Sequence, residues 1–348
     1  MTRTFAVQGQ PFSPVSGPGV WTGAEIAADD SWRYVLSEAT REALRRNLND
    51  PAIRSIPVKD LTKDNFPLPS FDEQGAAIAE QLGYGRGIAR LSGLDVEHYS
   101  TEELKTVFCG LSAYIGVTVS QSHLGDYIGE VMDFRDANDE RRYHNGGEFV
   151  MHRDPTADVT GLLSIRRSKS GGESRLMSAG LAHNILLQEH PDLMPTIYGG
   201  FPYQRTTPDR GETPLYTPHN IPVFHFTDDG EFSMHYIPYF SEAFIQRDGL
   251  TGDHPVILAQ RAIKHVLWER PELYIESMME PGDLQFVSNR VALHSRTDYV
   301  DYPDIERARL LLRVWMQLPI LSEVPAVMQM FENRDRADGG IAKAGTSD

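Results

Sequence analysis

A histidine and an acid two residues apart in an extended segment project to the same side of the chain and can reach one metal ion. This chain holds two such pairs, His152-Arg153-Asp154 and His190-Pro191-Asp192. With 12 histidines and 49 acidic residues among 348, about 1.7 such pairs arise by chance, so the pattern alone carries nothing. His190-Pro191-Asp192 follows the helical run 182–189 and contains a proline, which reads as a helix-end turn. His152 and Asp154 have a different setting. They end the apolar run Phe149-Val150-Met151 and precede a long strand pattern over 159–166. Much later, Pro281-Gly282-Asp283 opens a turn, a strand, a second turn near Asn289-Arg290 and a strand ending in His294. Two imidazoles and one carboxylate on one face of an ion leave three positions open, the arrangement of non-haem Fe(II) oxygenases. Catalytic zinc accepts the same ligand set.

Arginines follow. Along 309–316 the residues alternate: Leu310, Leu312, Val314 and Met316 share one face, and Arg309, Leu311, Arg313 and Trp315 share the other. The apolar face is expected to pack against a sheet or helix, and the other to carry two guanidiniums into a cavity. A buried cation without a partner is costly. A bidentate carboxylate ligand is one partner; a structural salt bridge with one of the 49 acids is another, and strand position alone leaves the two about even.

The elements that must position these groups are partly legible. Residues 1–23 are rich in Pro, Gly and Ser and read as an irregular arm. Residues 24–50 read as helical, a capping start at Ser70 opens a second helix to about Leu82, 88–91 reads as a short strand, and a capping box at Ser100 opens a helix to about Tyr114. From about 146 short apolar runs recur between turns, at 148–152, 158–166, 174–178, 222–226, 232–236, 273–279, 284–288, 291–295 and 309–317, with helices near 179–189 and 255–269. The expected fold class is mixed α+β, a jelly-roll core with flanking helices. The domain plan is an arm over 1–23 and one domain over 24–332, helical over 24–116 with the core over about 146–320. A disordered tail over 333–348 completes it.

Composition excludes some functions. The net charge of −16 repels phosphate backbones, so nucleic acid is not an expected partner. Residues 1–20 contain no apolar run and read as neither signal peptide nor anchor, and no membrane span is expected elsewhere. The single cysteine, Cys109, lies in an apolar stretch and reads as a core thiol. The expected compartment is the reduced cytoplasm, and a homo-oligomer is compatible with this reading.

At this point the sequence resembles the taurine dioxygenase and clavaminate synthase-like family of Fe(II)/2-oxoglutarate oxygenases. The resemblance runs from about Arg86 to Leu318. It is strongest from His152 through Gly171-Gly172-Glu173-Ser174 to Ser178, and from Pro281-Gly282-Asp283 through His294 to Arg313. It implies a double-stranded β-helix core, with His152, Asp154 and His294 as iron ligands. It implies that Ser174, in a Gly-Gly-acid-Ser turn, and Arg309 bind the far carboxylate of 2-oxoglutarate. Arg313 matches a position that faces substrate or the same carboxylate. Arg153 departs from the Thr or Ser of many relatives and is expected to point away from the iron.

The implied reaction consumes Fe(II)-bound 2-oxoglutarate and O2, releases succinate and CO2, and oxidises a C–H bond of a small substrate, most simply by hydroxylation. Asp154 disfavours halogenation; desaturation, ring closure and epimerisation share all the ligands. Substrate candidates are Arg313, Gln121, His123, Tyr236 and Tyr239, with His144 and Trp315 as weaker ones. Arg313 favours a carboxylate-bearing, amino-acid-like molecule. For His123 a plain surface or core histidine, and for the tyrosines a core role, is the simpler reading. A zinc hydrolase would need a general base beside its water, and a non-catalytic ligand-binding jelly roll would not need the metal ligands, Ser174 and Arg309 together.

Overall fold

A computed structural model describes residues 4–135, 147–205, 214–331 and 339–343. Two sheets dominate. The larger runs from β1 (Arg33–Val35) through β2 (Ile88–Ser92), β12 (Leu284–Ser288), β6 (Val159–Arg166) and β15 (Leu310–Gln317) to β3 (Val117–Val119), with β4 (Ile128–Val131) also paired to β15. The smaller runs β11 (Tyr274–Ser277), β8 (Ser174–Ser178), β13 (Ala292–Arg296) and β5 (Phe149–His152). Two-stranded pairs join β9 (Phe224–Phe226) to β10 (Phe232–Met234), and β7 (Ser170–Gly171) to β14 (Tyr299–Val300). All pairings are antiparallel except β1 with β2.

The outer face of the larger sheet carries Leu163, Phe286, Leu312, Val314 and Met316. They share one buried cluster with Val107, Phe108 and Leu111 of helix Thr101–Ser112 and with Ile78 and Leu82 of helix Asp72–Tyr84. Each such side chain taken out of water is worth about 1.5–3 kcal/mol. Helices Ala179–Glu189 and Pro255–Trp268 contribute Ala182, Leu186, Ile263 and Val266 to a second cluster on the side of the smaller sheet. The inner faces of both sheets border a cleft, lined by Leu162 and Ser164 of β6, Leu311 and Arg313 of β15, His152 of β5, Ser174 of β8, and His294 and Arg296 of β13. The alternation read in 309–316 therefore holds: one face packs under helices, the other fronts the cleft.

The mixed helix-and-sheet reading agrees with the structure, and among the described residues no sheet closes into a barrel. Strands expected at 174–178 and 284–288 have those bounds. The Ser100 capping box is present in both directions. Other expectations fail. The helix expected over 24–50 is two helices, Gly23–Ala27 and Glu38–Asn49 capped by Ser37, separated by β1. Ser70 caps nothing; a 3-10 turn over Pro69–Phe71 leads into the helix without a side-chain cap. The helical part is not segregated from the core, because β1 and β2 belong to the larger sheet. The arm is irregular yet anchored, with Ala6, Val7, Val15 and Trp21 buried and Trp21 Nε1 donating to the Arg86 carbonyl (2.9 Å). Within the tail expected to be disordered, residues 339–343 pack on the body: Ile341 is buried and its N–H donates to the Ser120 carbonyl. His144 and the remaining tail positions lie outside the described residues. Among the described residues no helix is long and apolar enough to cross a membrane.

Candidate metal and co-substrate site

Sheet register brings the distant histidines together. His294 of β13 pairs directly with His152 of β5, and their ring centres lie 4.3 Å apart. Asp154 follows two residues after His152, and one ligand atom from each of His152, Asp154 and His294 lies within 4.8 Å of the others. All three are buried. His152 Nδ1 donates to its own strand's Val150 carbonyl (2.7 Å), which leaves the Nε2 lone pair for a metal. Burial and the neighbouring His294 push the His152 pKa down; burial likewise lowers that of His294. Burial alone would raise the Asp154 carboxyl, but Arg313 and both histidines outweigh it and hold the acid ionised. Two neutral imidazoles and a carboxylate are the donor set a divalent cation takes. His294 Nδ1, buried and without a hydrogen-bond partner, is a further polar atom left wanting one.

Asp154 is aimed by a network. Thr160 Oγ1 (2.5 Å) and Trp315 Nε1 (2.9 Å) both donate to Oδ2, and Arg313 Nη1 stands 3.4 Å from Oδ1. Thr160 of β6 and Trp315 of β15 are cross-strand partners, so one rung of the larger sheet supplies both donors. Asn289 Oδ1 accepts from the Asp154 backbone N–H (3.0 Å), and Asn289 Nδ2 donates to Thr160 Oγ1 (3.1 Å). Next to it Arg290 bridges Asp158 (2.7 Å) and Glu231 (2.8 Å) in a buried triad that ties the 289–290 turn to the loop after Asp154. Arg153 points away from the metal ligands as expected. It is buried and donates to the carbonyls of Asp154, Pro155, Ala157 and Met234. Burial pushes its pKa down to about 10.

The cleft, its open mouth included, spans about 740 Å³ and its described wall is strongly cationic in an otherwise acidic protein. Among the described residues, Arg309, Arg313, Arg296, Arg166 and Arg167 line it, and no Asp or Glu does. Arg309 is 7% exposed, and its Nη1 has no hydrogen-bond partner among the described residues. Burial and the nearby Arg296 push its pKa down to about 10. Asp301 accepts the backbone N–H groups of Arg309 (2.9 and 3.0 Å) and Tyr302 (2.9 Å), not the Arg309 guanidinium. Ser174 Oγ accepts from Gln285 Nε2 (2.7 Å), whose carbonyl accepts from Arg90 (2.8 Å), so the single Ser174 proton is left to donate elsewhere. Gly171 (φ 72°) and Gly172 (φ 86°) turn the chain into Ser174 in the left-handed region. A Cβ on Gly172 would lie 3.3 Å from Arg309 Nε, so the missing side chain makes room for the guanidinium. Glu173, the acid of that turn, is held by Thr297 Oγ1 (2.5 Å).

The substrate candidates separate. Gln121 does not line the cleft: its Oε1 accepts from Arg313 Nε (2.7 Å) and its Nε2 donates to the Arg313 carbonyl (2.8 Å), so it sets the pose of Arg313. Tyr236 is fully buried in the core with its hydroxyl donating to Gln260 (2.5 Å). His123 is half-buried and is not part of the cleft wall. Tyr239 stacks on Phe149 (6.1 Å), which meets the His152 ring edge-on (4.3 Å), so it stands at the rim of the site. Trp315 touches the metal carboxylate rather than a substrate position. Thr160, Asn289, Gln285 and Arg296 were not singled out from sequence; for Arg296 a signal was present, its position two after His294 on one strand face.

Comparison with known proteins agrees with this geometry. Residues 53–315 match the taurine catabolism dioxygenase TauD, TfdA family. FR-33289 synthase of Streptomyces rubellomurinus (strain ATCC 31215) is 30% identical over 314 residues, covering 88% of this chain and 91% of that protein. Taurine hydroxylase-like protein SAT17 of Stachybotrys chartarum is 22% identical, covering 88% and 80%. Among solved structures, asparagine oxygenase in complex with Fe(II), (2S,3S)-3-hydroxyasparagine and succinate superimposes with a TM-score of 0.66 at 15% identity, covering 90% of this chain and all of that one. The non-heme iron oxygenase OrfP with Fe, succinate and (3S)-hydroxy-L-Arg gives 0.61 at 12% identity, covering 86% and 99%. The chain belongs to the TauD/TfdA family and is an Fe(II)/2-oxoglutarate-dependent dioxygenase.

Proposed function

We propose that this enzyme hydroxylates a C–H bond of a small carboxylate-bearing, amino-acid-like substrate. In this reading His152, Asp154 and His294 hold the iron, and Arg309 with Ser174 binds the distal carboxylate of 2-oxoglutarate. The observation that carries it is the convergence of those three ligands beside a cleft whose described wall carries five arginines. Bound iron with 2-oxoglutarate and O2 supplies oxidising power for a C–H bond, with release of succinate and CO2. The chain's own part is placement. Thr160, Trp315 and Asn289 fix the carboxylate of Asp154. Val150 fixes the His152 tautomer. The orphaned Arg309 Nη1 and the spare Ser174 proton offer donors for an anion. Arg313, posed by Gln121 beside Asp154, lines the cleft near the metal ligands, where a substrate carboxylate would meet it.

The two sheets flanking the cleft support a double-stranded β-helix arrangement for the core. The amino-acid class is supported by asparagine oxygenase and OrfP, both solved with hydroxylated amino acids. A zinc hydrolase is disfavoured because the chain belongs to a dioxygenase family and the arginines of the cleft suit an anionic co-substrate. A screen of amino and carboxylic acids with Fe(II), ascorbate and 2-oxoglutarate tests the reading. Succinate formation matched to O2 uptake and raised by at least one amino acid is expected. Product formation without O2 uptake would contradict it.

A further inference from the structure

Asp158, Glu231 and Arg290 are buried, and none of them lines the cleft. Every nitrogen of the Arg290 guanidinium donates: Nε to Asp158 Oδ1 (2.7 Å), Nη1 to Glu231 Oε1 (2.8 Å) and Nη2 to the Ser322 carbonyl. One acid would neutralise one guanidinium, and Asp158 is fixed as well by the Leu318 N–H on Oδ2 (3.0 Å). Burial raises the Glu231 carboxyl above its usual value even with Arg290 beside it. A second buried carboxyl is costly, so charge balance does not account for Glu231. Its position does. Glu231 immediately precedes β10, and its backbone is fixed: its N–H donates to Thr227 Oγ1 and its carbonyl accepts the Thr227 N–H, both at 2.9 Å. Val7 and Gly9 of the N-terminal arm bond its neighbours Phe232 and Gly230. Arg290 is tied to the same hairpin through its backbone, because its carbonyl accepts the Met234 N–H (2.9 Å). The other residue of the 289–290 turn reaches a metal ligand. Asn289 Oδ1 accepts the Asp154 N–H (3.0 Å), while its own N–H donates to the Asp158 carbonyl (2.7 Å) and Nδ2 donates to the Ala157 carbonyl (3.1 Å).

We infer that Glu231 is a positioning residue for the metal carboxylate: through Arg290 it fixes the 289–290 turn, and through Asn289 that turn fixes where Asp154 stands. Glu231 is not itself a ligand. The inference rests on the proposed role of Asp154 in holding the iron.

The test is anaerobic calorimetric titration of Fe(II) into the full-length apoprotein. Glu231→Leu should weaken Fe(II) binding about tenfold, the low end for groups that orient metal ligands. Glu231→Gln keeps an acceptor for Arg290 Nη1 and should stay within about twofold of the parent. Glu231→Asp is too short to reach Arg290 and should lose as much as Glu231→Leu; it carries the comparison if Glu231→Leu fails to fold by thermal melting. In an Asn289→Ala background Glu231→Leu should add less than about twofold, because the link it acts through is already cut. Leu44→Ala weakens the fold in the cluster under the helices and should leave Fe(II) affinity unchanged. An unchanged affinity in Glu231→Leu overturns the inference. So does a loss that adds in full to that of Asn289→Ala, since the effect then bypasses the turn. A Glu231→Gln loss equal to that of Glu231→Leu overturns it too, because charge and not position would then matter. An equal loss in Leu44→Ala overturns it by making the effect one of stability. Asp154→Ala separates the inference from the reading beneath it. If Asp154→Ala binds Fe(II) like the parent, the iron-ligand assignment is wrong and the inference falls with it; if it binds weakly while Glu231→Leu does not, the inference alone falls.

Discussion

Replacing Thr160 by valine removes a hydroxyl and keeps the shape of the side chain. That hydroxyl donates to Asp154 Oδ2 over 2.5 Å, and both groups are buried. A hydrogen bond to an ionised carboxylate is worth about 1.5–3 kcal/mol. Asn289 Nδ2 keeps the Ala157 carbonyl (3.1 Å) for one of its two N–H groups and loses the acceptor of the other. Trp315 Nε1 still holds Oδ2 at 2.9 Å, so Asp154 is loosened rather than released. Fe(II) affinity should therefore fall about tenfold to a hundredfold, or about 1.4–2.7 kcal/mol, the range for groups that orient metal ligands. Anaerobic calorimetric titration of Fe(II) into the apoprotein measures this, with thermal melting to show that the fold persists. An affinity within about twofold of the parent would refute the claim that Thr160 aims the metal carboxylate.

Trp315→Phe removes the other donor to Asp154 Oδ2; Fe(II) affinity should fall about tenfold, and the double change with Thr160→Val should depart from additivity in the same titration. Gly172→Ala forces a side chain into φ 86° and places its Cβ 3.3 Å from Arg309 Nε, so KM for 2-oxoglutarate should rise about tenfold while Fe(II) affinity holds; the reverse pattern in steady-state and metal titrations would count against it. Arg153→Met strands carbonyls that the guanidinium satisfies and should cost about 2–4 kcal/mol in urea unfolding. His235 is fully buried with neither ring nitrogen bonded, and burial with nearby Arg153 holds its pKa well below the usual value. Below pH 6.5 the unfolded chain takes up a proton that folded His235 refuses, so this residue subtracts stability as pH falls. His235→Phe should therefore flatten the loss between pH 6 and 5 by about 1 kcal/mol per pH unit in urea midpoints, and an unchanged slope would contradict it.

What was legible in the sequence follows from locality. β8 and β12 are short apolar runs bounded by turn residues, and their bounds were readable. The inward arginines were readable because β15 alternates strictly. The metal ligands were readable because His152 closes one apolar run and His294 lies within another, although the register pairing β5 with β13 is not written in either segment. β1 was not, because its three residues are ordered by parallel pairing with β2, more than fifty positions away. The network around Asp154 was hidden for the same reason: Thr160 and Trp315 meet only through the β6–β15 register. Gln121 was read as a substrate contact because its segment approaches the site; its amide is consumed on both ends by Arg313. Ile341 looked like part of a loose tail, since one apolar residue among polar ones gives no pattern until it is seen buried.

The most direct measurement is anomalous diffraction at the iron edge from crystals grown anaerobically with Fe(II) and 2-oxoglutarate. A single peak within bonding distance of His152, Asp154 and His294 is predicted, with the distal carboxylate of 2-oxoglutarate against Arg309. Iron bound elsewhere, or bound without His294, would contradict the placement of the metal centre.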